Sequence, residues 1–421
     1  MLILVMVSSN LNWGKNWDSI LEADAKGYYA YLPAVFIYHD LNFGFFDKIE
    51  KEKYYNENRY YDYRSFQNGK FIDKYYAGTA LAQLPFFLVA HAICQFSADE
   101  PDGYTKAYPI LISIATFCYL LLGLIFLNRF LKLYLINEKV RAFSLFATVF
   151  GTNLFYYTIG EPGLSHVYSF LFVTAFLFYG KTFFLEKSTR IIPGLAVLLA
   201  MIILIRPING LIVFAIPFLA GNINTLKERL PDLYKNPLHL TISLLLFLII
   251  VSIQPIIYKL STGSFFIYSY ADEGFNFLSP HFFDFLFSYK KGMFLYSPLL
   301  MLSLTGGYYM WKKNKQETIA LLLFFILLVY VFSSWWNWWY GGSFSTRVFV
   351  EFLALFTLLL SITIKEIINK KLKGLFVSLV FFCIVLCQIQ TYQYRYYQIH
   401  WENMNKDKYW EVFMRIDKLI K

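Results

Sequence analysis

Residues 108–128 read YPILISIATFCYLLLGLIFLN, a stretch without a single charged side chain. An α-helix needs about 20 such residues to cross the hydrocarbon core of a bilayer. Similar apolar runs follow along the chain, at residues 142–159, 164–180, 191–205, 208–221, 238–258, 293–311, 318–333, 348–364 and 374–391. The chain is 57% hydrophobic and 16% charged, whereas soluble domains carry about 25% charged residues. The pattern predicts an all-α polytopic membrane protein with about 10–11 transmembrane helices.

The loops between these runs alternate in charge. Every second loop is short and basic, namely NRFLKLYLINEKVR (128–141), KTFFLEKSTR (181–190), LKERLPDLYK (226–235), WKKNK (311–315) and KEIINKKLK (365–373). Because Lys and Arg in short loops remain in the cytoplasm, the other loops are expected on the outer face. This arrangement accounts for the net charge of +10. Nucleic acid is not an expected partner, since no basic face or stacking motif accompanies the charge.

The sequence therefore predicts a single membrane domain over residues 1–421 with three large outer segments. Residues 9–107 form an outer cap loop with interfacial helices, and residues 259–292 form a second outer loop. Residues 392–421 form an outer C-terminal tail. The cap is expected to be helical near Glu22–His39.

Two apolar segments need a separate interpretation. Residues 79–96 approach span length but contain Gln83, Pro85 and His91, so we expect a helix in the outer interface and not a span. The N-terminal MLILVMVSS is shorter than a span. It suggests a first helix that is incomplete, with a truncated start.

The stretch LEADAKGYYAYLP (21–33) places the carboxylates Glu22 and Asp24 in the cap. A carboxylate pair can bind a divalent metal ion or act as a general base, and the alternative is a solvated loop. Asp24 is the stronger candidate because it precedes a predicted helix, whose N-terminus favours an acid.

Three cations lie at the ends of apolar runs on the predicted outer side: Lys74, Arg206 and Arg347. A charge at this depth is costly unless it is paired or functional, and a guanidinium suits a phosphate. For Lys74, contact with lipid phosphates is the alternative. For Arg206, the alternative is an ion pair with an outer carboxylate.

Glu22 is a possible helper, as are further polar residues on the same side, namely Glu161, His166, Lys290 and Lys291. The cluster WWNWWYGG at residues 335–342 is typical of an interfacial aromatic belt, although sugars also stack on such rings. Asp272 and Glu273 are expected to be solvated. The four cysteines and the other histidines show no disulfide or ligand spacing.

Taken in their order along the chain, these motifs resemble those of the GT-C class of glycosyltransferases. More narrowly, they resemble those of its protein O-mannosyltransferase and lipid A aminoarabinose-transferase group. The segments that carry the resemblance are EADAKGYY (22–29), KYYAGTALAQLPFF (74–87), EPGLSH (161–166), RPIN (206–209) and WNWWYGGSFSTR (336–347). KYYAG stands where relatives have a KPP-like or KYP-like run, and Glu161 stands where Asp is more usual.

The resemblance implies an enzyme that moves a sugar from a polyprenyl-phosphate donor to an acceptor on the outer face, with inversion. Asp24 would be the catalytic base, and Lys74, Arg206 and Arg347 would hold the donor phosphate. No cofactor is required, and a divalent metal ion at Glu22 and Asp24 stays possible. The acceptor could be a protein, a lipid or a glycan, and the location a bacterial inner membrane with a periplasmic active site.

Three other classes of protein remain open. An O-antigen-type polymerase or ligase also uses lipid-linked sugars, but its catalytic loop is expected late in the chain. A transporter or flippase would carry ionisable residues at mid-span and inverted repeats, and no repeat is visible. A structural subunit would not need the set of Asp24, Arg206 and Arg347.

Overall fold

A computed structural model describes residues 1–186, 188–367 and 370–419, which are mostly helical. In chain order the α-helices are α1 Leu2–Leu11, α2 Asp24–Phe36, α3 Gly78–Phe96, α4 Ala107–Leu133, α5 Glu138–Gly151, α6 Leu154–Ile159, α7 Ser165–Glu186, α8 Ile192–Ile205, α9 Ile216–Ala220, α10 Ile223–Arg229, α11 Asp232–Lys235, α12 Pro237–Val251, α13 Ile253–Thr262, α14 Phe282–Phe287, α15 Met293–Tyr296, α16 Pro298–Ser303, α17 Thr305–Lys313, α18 Lys315–Ser333, α19 Leu353–Ile367, α20 Lys373–Arg395 and α21 Lys406–Val412. The 3₁₀ helices are Trp17–Ser19, Glu57–Arg59, Thr189–Ile191, Pro207–Ala215, Arg347–Phe352 and Ile416–Leu419, and Asp47–Lys53 is a π-helix. Two short strands, β1 Arg64–Gln67 and β2 Lys70–Asp73, complete the structure of the described residues.

Within these described ranges, seven helical segments are long and apolar enough to cross a membrane. They are Gly78–Phe96, Ala107–Leu133, Ser165–Glu186, Pro237–Thr262, Lys315–Ser333, Arg347–Ile367 and Lys373–Arg395. The prediction of an all-α, polytopic integral membrane protein is confirmed at this level.

Six of the ten predicted runs lie in these segments, and the seventh segment is α3, which was not predicted to span the membrane. Run 191–205 forms the single helix α8 of 14 residues, and the other three runs are divided into shorter pieces. Residues 142–159 split into α5 and α6 at Thr152, where the backbone is extended. Residues 293–311 split into α15, α16 and α17, with Pro298 opening the second piece. Hydropathy does not register such breaks, because proline and extended residues interrupt a helix without making the run less apolar.

The run at 208–221 is the most irregular of these. It becomes the 3₁₀ helix that starts at Pro207 followed by α9, and the chain then bends by 111° into the α10–α11 segment. Proline lacks the amide hydrogen that a continuing helix needs, so α8 ends before Pro207. Arg206 is left in an extended backbone conformation at the end of α8. Because the helix breaks here, Arg206 lies at the end of α8 and not in the middle of a continuous apolar helix.

The centre of the bundle is formed by α7 and the segment Arg347–Ile367, which are the most buried of the seven. α7 packs against α4 and α8. α12 packs on α8, and its other face leaves Leu244, Leu245, Leu248 and Ile249 more than half exposed. An apolar helix face this open is expected to lie against lipid.

Residues 12–77, between α1 and α3, form a folded unit that we call the first connection. It contains α2 and the hairpin of β1 and β2, in which Arg64 pairs with Asp73. The hairpin turns at Asn68 and Gly69, which both have positive φ angles of 50° and 76°, as two-residue type I′ turns require. Helix α2 starts at Asp24 and ends at Phe36, which agrees with the helix expected near Glu22–His39.

Helix α3 coincides with the segment that we expected to lie in the interface. Its length and composition would allow it to cross a membrane. Gln83 of α3 donates to the carbonyl of Gly163 in the α6–α7 turn, and His91 bonds the hydroxyl of Tyr108 at the start of α4. The interfacial position of α3 stays a prediction.

Candidate functional site

The site is centred on an ion pair between Asp24 and Arg347. Asp24 is the first residue of α2, and Arg347 opens the buried segment that continues into α19. Arg347 Nη2 donates to Asp24 Oδ2 over 2.7 Å, and the two side chains are only 15% and 17% exposed. The pair therefore joins the first connection to the central helical segment of the bundle, although the two residues lie far apart in the sequence.

The surroundings of Asp24 keep its carboxylate charged. Burial opposes ionisation, but the charge of Arg347 and hydrogen bonds from Tyr75 and Arg347 outweigh it, with a further contribution from Lys74. The pKa of Asp24 is consequently lowered from its ordinary value of 3.8. At neutral pH Asp24 is a carboxylate, and it is a weak base as long as Arg347 is bound to it.

Arg206 belongs to a second, more deeply buried group with His166 and Glu351. Arg206 Nη1 lies 3.1 Å from Glu351 Oε1, and His166 Nδ1 lies 3.0 Å from the same oxygen. The Glu351 side chain has no exposed area. The ion pair that we considered for Arg206 therefore exists, but its partner is Glu351 and not a carboxylate of a loop.

Glu351 was not among the residues selected from the sequence. It lies inside the apolar run 348–364, one helical turn after Arg347. A carboxylate within an apolar run of span length is costly and indicates a functional or paired position. That signal was present in the sequence.

Lys74 directly follows β2 and is paired with Glu273 from the connection after α13. The ammonium also lies 5.3 Å from the centre of the Tyr270 ring. The prediction that Glu273 is merely solvated was wrong, whereas Asp272 is exposed as expected. Tyr270 in turn experiences the charges of Asp24 and Arg206, so Lys74 belongs to the same site.

Glu161 lies in the turn between α6 and α7. Its Oε1 accepts a hydrogen bond from Tyr156 over 3.0 Å, and its Oε2 is buried without a hydrogen-bond partner in the described part of the chain. Burial raises its pKa to about 7, although the charge of Arg347 counteracts the effect. Glu161 is thus a second carboxyl group beside the Asp24–Arg347 pair, with the opposite pKa shift.

Glu22 lies at the edge of this cluster, where its charge acts on Glu161. Burial raises its pKa, and the nearby charges of Arg59 and Lys26 offset part of the effect. Within the described residues, no group of three or more His, Cys, Asp or Glu side chains could hold a metal ion. Because Asp24 is bonded to Arg347 instead, the geometry does not support the metal site that we considered at Glu22 and Asp24.

The two lysines at 290 and 291 have different environments. Lys290 pairs with Glu402 at 2.8 Å and lies 3.5 Å above the ring of Trp339. Lys291 is 3% exposed and donates to the carbonyl of Ser343. Burial lowers its pKa to about 7. Lys291 experiences the charges of Glu161 and Arg347, whereas Lys290 contacts Glu402 and Trp339, so we place Lys290 at the periphery of the site.

An apolar cavity of about 430 Å³ adjoins the site. It is bounded by α8, α12, α13 and the connection after α13, with Tyr76, Pro207, Val251, Pro255, Phe265 and Ile267 among its lining residues. Tyr76 lies two residues after Lys74, and Pro207 follows Arg206. Lys74 and Arg206 are therefore close in the chain to residues that line this apolar cavity.

The structure thus brings Asp24, Arg347, Arg206 and Lys74 into one site, with His166, Glu161 and Lys291 beside them. No family model matches the sequence, and neither the curated proteins nor the solved structures contain a match.

Proposed function

We propose that the protein is a membrane glycosyltransferase of the GT-C type, which transfers a sugar from a polyprenyl-phosphate donor to an acceptor hydroxyl. The observation that carries the proposal is the convergence of Lys74, Arg206 and Arg347 in one site. Two of these cations, Lys74 and Arg206, lie within two residues of Tyr76 and Pro207, which line an apolar cavity. A lipid phosphate combines an anionic group with a long apolar chain, and the site offers a partner to each.

The chemistry follows from the leaving group. The acceptor oxygen attacks the anomeric carbon, the bond from that carbon to the phosphate oxygen breaks, and Asp24 takes the acceptor proton. The products are an inverted glycoside and a polyprenyl phosphate. Preorganised cations stabilise the negative charge that develops on the departing phosphate and so lower the barrier.

The ion pair of Asp24 also fits this role. While Arg347 is bonded to Asp24, the carboxylate is a weak base. A donor phosphate that attracts Arg347 would weaken this bond and raise the pKa of Asp24 toward its ordinary value. The base would then be strengthened only when the donor is in place.

The alternation of basic loops supports an outer-face site. Tyr134, Lys181 and Glu317, which lie in or beside the basic loops, meet at the end of the bundle opposite Arg347. If those loops are cytoplasmic, Asp24 faces the periplasm of a bacterial inner membrane. A single cysteine at Asn68, the exposed hairpin tip, tests this orientation in a variant without native cysteines. Labelling by an impermeant reagent in intact cells is expected, and labelling only after lysis would reverse the orientation.

The runner-up functions have less support. His166 and Glu351 lie in the first two turns of their helical segments, so the buried charges are near span ends and not at mid-span, where a transporter or flippase would carry them. An O-antigen-type polymerase or ligase would not need Asp24 from the front of the chain.

The proposal is tested by the substitution Asp24→Asn in proteoliposomes supplied with a polyprenyl-phosphate sugar. Loss of a general base lowers turnover by about 100-fold or more, while binding of the polyprenyl phosphate should persist. Glu22→Gln is the matched control and should keep most of the activity. Full activity of Asp24→Asn would remove the proposed mechanism.

A further inference from the structure

Each cation of the site is already neutralised by a carboxylate. The pairs are Arg347 with Asp24, Arg206 with Glu351, and Lys74 with Glu273. An anionic ligand that enters this site therefore meets three ion pairs and not three free cations. It must displace a carboxylate from at least one of them to gain a full ionic contact.

The three carboxylates differ in how easily they can move. Glu351 is fully buried and also bonded to His166, so its withdrawal would leave a charge without a partner in the protein interior. Asp24 is fixed in the first turn of α2. Glu273 lies in a connection, and its side chain is 27% exposed. Glu273 is thus the carboxylate that can turn toward water at the lowest cost.

The backbone around Glu273 is anchored on both sides. Ser269 donates to the carbonyl of Lys74 over 2.8 Å, and Phe275 forms an antiparallel bridge with Trp335. The hydroxyl of Tyr268 also bonds the carbonyl of Glu273. These contacts hold the main chain, so the Glu273 side chain can leave Lys74 without a rearrangement of the connection.

We propose that Glu273 is an internal competitor of the donor phosphate: its carboxylate occupies Lys74 in the empty site and yields to the phosphate on binding. This inference rests on the proposed function. The exchange keeps Lys74 paired before binding. After transfer, the return of Glu273 to Lys74 opposes rebinding of the polyprenyl phosphate and promotes its release.

The connection that carries Glu273 also borders the apolar cavity, through Phe265 and Ile267. A lipid tail in that cavity would place its phosphate beside the same connection. Competition at Lys74 would therefore act on the phosphate and not on the tail. Its strength should depend on salt, because Lys74 and Glu273 are partly exposed and their attraction is screened.

The test is the binding of polyprenyl phosphate to the full-length protein in nanodiscs. Glu273→Gln keeps the size of the side chain but removes its charge, and should bind polyprenyl phosphate about fivefold more tightly, the upper range for a partly exposed pair. Glu273→Ala should show the same gain. Asp272→Asn, the exposed neighbour, is the matched control and should bind as the wild type does.

Weaker or unchanged binding by both Glu273 variants would overturn the exchange. If both Glu273 variants fail in this way while the wild type binds polyprenyl phosphate and Lys74→Met binds it more weakly, only the role of Glu273 is refuted and the proposed function stands. If the wild type does not bind polyprenyl phosphate at all, the proposed function and the exchange both fall.

Discussion

The buried carboxylate of Glu351 offers the sharpest separation of stability from ligand binding. The substitution Glu351→Gln keeps the shape of the side chain and one acceptor oxygen but removes the charge that holds Arg206 and His166. We expect two effects: a loss of folding stability, and a loss of phosphate affinity because Arg206 is no longer fixed.

The size of the first effect follows from burial. Glu351 has no exposed area, and its Oε1 lies 3.1 Å from Arg206 Nη1. Removal of one partner from a buried ion pair costs about 3–5 kcal/mol. The Arg206 side chain keeps 17% exposure and can regain some hydration, so we expect the lower end, about 3 kcal/mol. Loss of one charge-assisted contact to phosphate would weaken binding by about tenfold.

A matched control lies at the opposite end of the bundle. Glu317 accepts hydrogen bonds from Lys181 over 2.8 Å and from Tyr134 over 3.0 Å, and it is nearly as buried. Glu317→Gln should lower stability by a similar amount, about 3 kcal/mol. It should leave phosphate affinity unchanged, because the side-chain partners of Glu317 among the described residues are Tyr134, Lys181 and Asn314, which lie outside the candidate site.

Both variants are measured by thermal unfolding in detergent and by binding of polyprenyl phosphate in nanodiscs. The reasoning is refuted if Glu351→Gln unfolds like the wild type and binds phosphate equally well. It is also refuted if Glu317→Gln loses as much affinity as Glu351→Gln, since the loss would then report general destabilisation.

Two further predictions concern Glu161 and the packing of α17. Burial raises the pKa of Glu161 to about 7 from 4.5. Between these values the folded state holds a proton that the unfolded state has released. The folding stability should therefore fall as the pH rises from about 4.5 to 7 and should then level off. Unfolding midpoints that decline equally for the wild type and Glu161→Gln would contradict this. A methyl group on Gly306 would overlap the Leu359 carbonyl, whereas Gly307 faces open space. Gly306→Ala should therefore lower the thermal midpoint by the equivalent of about 1–3 kcal/mol, and Gly307→Ala should raise it slightly; equal midpoints would show that α17 shifts freely.

The sequence predicts the residues of the site better than their pairing. Arg206 and Arg347 were identifiable because each borders an apolar run, where a charge is costly, and Asp24 because it precedes a predicted helix in the outer cap. Their partners were harder to identify. Glu273 lies in a polar connection, where a charged side chain can stay hydrated and gives no signal in the sequence. Its pairing with Lys74 arises only from the tertiary fold. Pairings between residues so distant in sequence depend on tertiary packing and not on local pattern.

The fold shows the same division between composition and local geometry. Hydropathy predicts the membrane class because composition alone decides it. It does not predict that Thr152 and Pro298 divide apolar runs into short helices. Asn68-Gly69 carries the signal of a two-residue hairpin, and this signal could have predicted β1 and β2 before the structure did.

The clusters around Glu317 and Arg347 differ in how many of their buried charged atoms have a hydrogen-bond partner. At the Glu317 end, Oε1 accepts from Lys181 and Tyr134, and Asn314 bonds Oε2 over 3.3 Å. At the other end, Arg347 Nε and one oxygen each of Glu351 and Glu161 are buried without a hydrogen-bond partner among the described residues. Buried polar atoms are rarely left in this state unless water or a ligand completes them. Arg229 Nε and Asp232 Oδ2, near the Glu317 end, are also buried without a hydrogen-bond partner within the described ranges. The contrast therefore holds between the two clusters and not between the two ends: the polar atoms around Glu317 are paired, whereas the unpaired atoms beside Arg347 favour a ligand site there.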